Sequence, residues 1–151
     1  GFLELKLQYA PRVTTCSAVS SWNDVGASAG AEIWRFADAP SVSDGQSLSG
    51  DPATPADLLI SLSDRAGRYA ESAPVAVNQY AVSDGEDIEY DWHIQHNGAD
   101  QRTTYCFRMV EADDTPLNAY FHYPQIRTEG YTPVVNGWRW YDDELNATPF
   151  L

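Results

Sequence analysis

Positive charge is what this chain has least of. Of 151 residues only 9 are lysine or arginine, against 22 aspartate and glutamate, for a net charge of −13. Lys6 is the sole lysine. Such a surface repels nucleic-acid phosphates and anionic membranes, so neither is expected as a partner. No apolar run reaches the ~20 residues of a membrane-spanning helix. No signal peptide opens the chain; Gly1-Phe2 leads at once into strand-like sequence, as expected of a mature processed form or an excised piece. No segment holds a sustained 3.6-residue hydrophobic period, so helices are not expected.

Catalytic patterns are also missing. There is no glycine-rich phosphate loop, and no flanking pattern marks the serines as part of a catalytic triad. With 22 acids some carboxylate pair falls at glycosidase spacing by chance, so such a pair carries no weight. Cys106 lies in mid-strand with only Arg108 nearby to lower its pKa. His93 and His96, three apart on a strand, point to opposite faces and do not converge on a metal. The chain is therefore read as a non-enzyme without metal or cofactor. Calcium is the weaker alternative, through Asp84-Gly85-Glu86-Asp87, Asp113-Asp114 or Asp142-Asp143-Glu144, none of which has the spacing of a calcium loop.

What is present is β-sheet. Hydrophobic residues make up 43% and aromatics 13%, with five tryptophans and nine tyrosines, enough for one domain with a core. Leu3, Leu5, Leu7 and Tyr9 alternate with Glu4, Lys6 and Gln8, the period of a half-buried strand. Three further strands are expected in succession between Asp87 and Pro124. Ile88, Tyr90, Trp92 and Ile94 mark the first, Thr104 to Val110 the second and Leu117 to Tyr123 the third, with turns at Asn97-Gly98 and Asp113 to Pro116. Ala31–Phe36, Leu58–Leu62 and Gln125–Thr128 also read as strand. Trp22 to Gly26 reads as a turn or short strand. Asp64 to Tyr80 reads as irregular structure leading into a short strand, and Asp38–Pro55 as a long loop. Short strands between Gly, Pro, Asn and Asp turns predict an all-β, antiparallel β-sandwich over 1–128, followed by a connector and strand-like tail over 129–151. Cys16 and Cys106, 90 residues apart, suggest a disulfide and an oxidising compartment; two buried free thiols, or one inconsequential surface thiol, are the alternatives.

Tyr105-Cys106-Phe107-Arg108-Met109-Val110 resembles the late strand of fibronectin type III and immunoglobulin-like domains. The resemblance implies that Tyr105 is a corner tyrosine bonding back to the backbone. It also implies that Tyr105, Phe107 and Met109 point inward and Cys106 outward. A broader likeness joins Leu5 to Ala10, Cys16 with Trp22, Gly67-Arg68-Tyr69, Thr103 to Arg108, Tyr123 to Ile126 and Trp138 to Asp142. Together these are similar to uncharacterised β-sandwich modules of large secreted or surface proteins of environmental bacteria. The likeness implies an extracellular structural or adhesive role and no activity.

Those modules carry a strand before the one that opens this chain. The arrangement suggests that copies or neighbouring modules complete one another by strand addition, through Phe2 and Leu3 at one end and Trp138, Trp140, Tyr141, Phe150 and Leu151 at the other. Trp34 and Trp92 read as core. Trp138 and Trp140 read as docking knobs, or else as a sugar-stacking platform. Asn146-Ala147-Thr148 is an N-glycosylation sequon. The chain is thus expected to be a structural subunit or module of an extracellular surface protein or filament, joined to itself or its neighbours. The alternative is a carbohydrate-binding or adhesive module, with glycan partners at the tryptophans and the Asp38–Pro55 loop.

Overall fold

The alternation around Leu5 builds the strand from which the sheet spreads. The structure is a computed structural model describing residues 4–48, 64–72, 75–77, 81–117 and 119–130. Strand β1 (Glu4–Pro11) lies in the middle of the largest sheet. Pairing also involves β2 (Asn23–Asp24), β3 (Trp34–Phe36), β4 (Asp64–Ala70), β5 (Val75–Val77), β6 (Asp87–Trp92), β7 (Ile94–His96), β8 (Thr104–Glu111) and β9 (Gln125–Arg127). Strand β8 runs antiparallel to β1 from Leu5↔Glu111 to Pro11↔Tyr105. On the other edge of β1, β5 pairs with Glu4 to Lys6 and β2 with Gln8 and Tyr9. Strand β9 closes the far side against Thr104 to Cys106 of β8.

Two strand pairs cover one face of this sheet: β3 with β7, antiparallel, and β4 with β6, parallel. Leu7, Tyr9, Tyr105 and Phe107 pack there against Val25, Trp34 and Phe36. Leu5 packs with Ala70 and Tyr90, and Trp92 and Met109 join the two clusters. Trp34 meets Tyr105 and Phe107 edge-on, with ring centroids 5.5 and 5.2 Å away. Each such pair contributes about 0.5–1.5 kcal/mol beyond simple burial. The architecture is all-β and mostly antiparallel, consistent with a β-sandwich. The only helical turn among the described residues is Cys16–Ala18.

Several expectations are corrected. Asp64–Ala70, read as irregular, is a strand, and its pairing with β6 breaks the antiparallel rule. Its sequence is polar and small because its backbone packs closely: a Cβ on Gly67 would lie 1.7 Å from the Glu89 carbonyl oxygen. The register shifts there, between Arg65 and Arg68. The strand expected over Leu117–Tyr123 does not form; the described part of 112–124 makes one isolated bridge, Val110 to Pro116. Tyr120 explains this, since its hydroxyl donates to the Met109 carbonyl and accepts from the Leu117 N–H. The strand read through Ile94 breaks at His93, whose N–H donates to Ala70 and whose carbonyl accepts from Ala37. The strand read from Ala31 begins at Trp34. The expected Asp38–Pro55 loop is held down as far as it is described. Gly45 and Leu48 donate to the Tyr69 and Gly67 carbonyls, and Leu48 is buried.

Candidate interaction surfaces

The face of the sheet turned away from the core is the larger surprise. Alternation placed Lys6 and Gln8 in solvent, yet they are only 6% and 4% exposed. The Lys6 ammonium sits 2.8 Å from a carboxylate oxygen of both Asp24 and Asp114. The Gln8 amide nitrogen donates to the same two carboxylates, at 2.8 Å each. Its oxygen accepts from Nε and Nη2 of Arg108 at 3.0 and 2.8 Å. The Arg108 guanidinium lies over Trp22, 4.5 Å from the ring centroid. Trp22 stacks on Tyr123, and Tyr123 on Tyr120.

Asp114 reaches this ladder from a left-handed turn residue, φ 75°. Aspartate tolerates that conformation better than most side chains. Burial disfavours the charge of Asp24, but hydrogen bonds from Lys6 and Gln8 and the Lys6 charge outweigh it and hold the carboxyl below its ordinary range. Burial likewise opposes the Lys6 charge, and its bonds to Asp114 and Asp24 raise it above the ordinary value.

The disulfide lies on this same face. Cys16, in the helical turn, is bonded to Cys106 in the middle of β8, with Cα atoms 5.6 Å apart. Cys106 is on the side away from the core, as the resemblance implied, but the turn covers it completely and it is 0% exposed. A disulfide fits a secreted or extracellular protein. No helix among the described residues is long and apolar enough to cross a membrane. The Tyr105 hydroxyl accepts a hydrogen bond from the Asp100 N–H at 3.0 Å, five residues upstream.

A groove of about 340 Å³ opens where the irregular 117–124 segment passes Leu7, Tyr90, Trp92 and Met109. Its lining is largely apolar and aromatic, and Phe121 in that segment is 90% exposed. The buried Tyr90 hydroxyl has no hydrogen-bond partner among the described residues. Burial pushes its pKa up to about 12, against the pull of Arg68. Trp92 donates from Nε1 to the Met109 sulfur at 3.2 Å. Trp34 is core as expected, whereas Trp92 is only half-buried and borders the groove. Trp22, in its stack, is half-buried too.

His93 and His96 find separate partners. The His93 Nδ1 contacts the Ala37 carbonyl and its ring stacks on Tyr69, while His96 meets Trp34 edge-on. Among the described residues no three His, Cys, Asp or Glu side chains gather to hold a metal ion. The assembly residues Phe2, Leu3, Trp138, Trp140, Tyr141, Phe150 and Leu151 lie outside the described residues. So do the sequon at Asn146 and the strand expected over Leu58–Leu62.

Alternation missed the buried ladder because its partners come from far along the chain. One signal was available: the single lysine stands in the middle of the most strand-like segment. The groove had no signal of its own, because its wall was read as a strand.

The chain fits no family model, and no curated protein and no solved structure is significantly similar to it.

Proposed function

We propose that this chain is a non-enzymatic, extracellular module with an immunoglobulin- or fibronectin-III-like sandwich, serving as a structural unit of a surface protein or filament. It joins further copies or neighbouring modules by pairing strands edge to edge. The observation that carries this reading is the edge at β9. Its three residues are exposed, and among the described residues no strand pairs with its far side. Phe107 and Thr128 donate to Pro124 and Thr103 across the β8–β9 ladder. Antiparallel geometry then turns the N–H and C=O of Gln125 and Arg127 outward, where an added strand would bond. The buried disulfide and the acidic surface suit an oxidising, exposed setting, and the Tyr105–Asp100 bond supports the corner tyrosine of the proposed fold.

Hydrogen exchange at increasing protein concentration tests this reading. Amide protection at Gln125 and Arg127 should rise with concentration, while the Ile126 amide, bonded to β8, stays protected throughout. Protection that is independent of concentration at all three would refute edge pairing.

The groove favours a second reading, an adhesive or carbohydrate-binding module. Half-buried Trp92 and Tyr120 beside the exposed Phe121 offer the aromatic faces on which sugar rings stack. A glycan array that stays silent with the wild type removes it. Binding lost in Phe121→Ala and Trp92→Ala would install it.

A further inference from the structure

In a chain so short of cations, three arginines gather at one end of the disulfide-bearing face. The Arg12 N–H donates to the Thr104 carbonyl at 2.8 Å, and Thr104 stands opposite Arg127 in the β8–β9 register. Arg12, Thr104 and Arg127 therefore form one row across three strands. Cross-strand neighbours share a face; the row lies next to Ala10, Cys106 and Gln125, and so on the same side as the disulfide. Arg12 also donates from Nη1 to the Gln125 side chain at 3.1 Å. Arg102 joins from the turn before β8, at φ 56°. Its side chain lies against Gly130, where a Cβ would come within 2.2 Å of Nε. Glycine at 130 is what leaves this guanidinium its place.

The other described cations are held by acceptors within the chain. Lys6 has Asp24 and Asp114, Arg65 has Glu86, and Arg68 has Asp44. Arg35 donates to the Gly30 carbonyl and Arg108 to Gln8. Arg102 and Arg127, by contrast, make no side-chain hydrogen bond or ion pair among the described residues, although the chain carries 22 acids. Both border a hollow of about 410 Å³ whose other described lining residues are Arg12, Val13, Thr103 and Thr104, with no carboxylate among the described lining residues. Glu129 borders a neighbouring hollow, which Arg102 and Arg127 also line.

We infer that this hollow is a binding site for one oxyanion group, a carboxylate or a sulfate, carried by a ligand of low total charge. Guanidinium forks match both groups in geometry and can bind them bidentately. The net charge of −13 disfavours a dense polyanion and leaves the local patch to capture a single group. The inference uses the Arg127 side chain, whereas edge pairing uses only its backbone, and it shares no residue with the aromatic groove.

The test is an NMR titration that follows the arginine Nε–H resonances. Sodium sulfate and sodium glucuronate are added separately, in exchange for sodium chloride at constant ionic strength. The Arg12, Arg102 and Arg127 resonances should move and saturate, while that of Arg65, held by Glu86, stays still. Arg127→Gln and Arg102→Gln should each weaken binding about tenfold, since hydrogen bonds to charged groups contribute more than a kcal/mol. Gly130→Ala should weaken it too, by displacing Arg102 while keeping its charge. Arg65→Gln should have no effect. Saturation by sulfate alone assigns a tetrahedral ester as the group bound, and saturation by glucuronate alone assigns a carboxylate. Shifts that never saturate, that appear equally at Arg65, or that survive in Arg127→Gln overturn the site. The backbone spectrum verifies folding, and if Arg102→Gln fails to fold, the Arg127→Gln result decides.

Discussion

Replacing both cysteines, Cys16→Ala with Cys106→Ala, removes a bond that closes a loop of 90 residues. Chain entropy alone sets the loss at about 4–5 kcal/mol, from the logarithmic dependence on loop length. The stability of a typical domain is about 5–15 kcal/mol, so the variant would keep only a margin. Cys106 is fully buried, and the smaller alanine side chain adds a modest packing loss. Urea unfolding followed by tryptophan fluorescence reads the change. With a slope of about 2 kcal/mol per molar, the midpoint should fall by roughly 2 M. The slope itself should rise, because the unlinked chain exposes more surface when unfolded. Reduction of the native protein should also be slow, since both cysteines are buried and a reductant must await local opening. A midpoint shift under about 0.5 M, or rapid reduction with the fold intact, would refute the placement of Cys16 over the middle of β8.

Other perturbations probe separate parts of the structure. Gly67→Ala drives a methyl into the Glu89 carbonyl and should cost about 3 kcal/mol or prevent folding, as read by thermal unfolding; a neutral result would contradict the close parallel approach of β4 and β6. Gln8→Leu leaves Arg108, Asp24 and Asp114 without their shared partner and should cost about 2–3 kcal/mol in urea, whereas a gain in stability would show the ladder to be dispensable. The pH profile follows from the directions of the shifts. The Asp24 carboxyl is depressed in the fold, so its contribution is complete above its unfolded value near 3.8 and is lost as pH falls through the folded value. The Lys6 ammonium is raised, so its contribution is complete below 10.5 and is lost only at more alkaline pH. Stability owed to this pair should be flat between those limits, and Asp24→Asn should make the acid limb shallower. An unchanged acid limb would remove Asp24 from the account.

Alternation made β1, β6 and β8 legible, because each turns one row of side chains toward the facing layer. It failed wherever the second face is buried too. Lys6 and Gln8 look solvent-facing in sequence, and the carboxylates that cover them lie 18 and 106 residues from the residues they bind. Strand β4 was hidden for a different reason. Asp64-Arg65-Ala66-Gly67 lacks the β-branched residues that mark strands, since Gly67 contributes close backbone contact and no side chain. The Leu117–Tyr123 segment shows the reverse error: it reads as a strand, but the Tyr120 hydroxyl ties it back to Met109 and leaves a groove. The arginine row was invisible in sequence because Arg12, Arg102 and Arg127 meet only when β1, β8 and β9 align.

Edge-to-edge assembly at β9 is the central functional claim, and Gln125→Pro tests it most directly. Proline removes an outward N–H while leaving the β8–β9 bonds in place, a change that edge strands tolerate. The particle mass, by light scattering with negative-stain microscopy, should grow with concentration in the wild type and stay that of a single chain in the variant. Assemblies of equal size in both, or a wild type that remains a single chain at every concentration, would contradict assembly through β9.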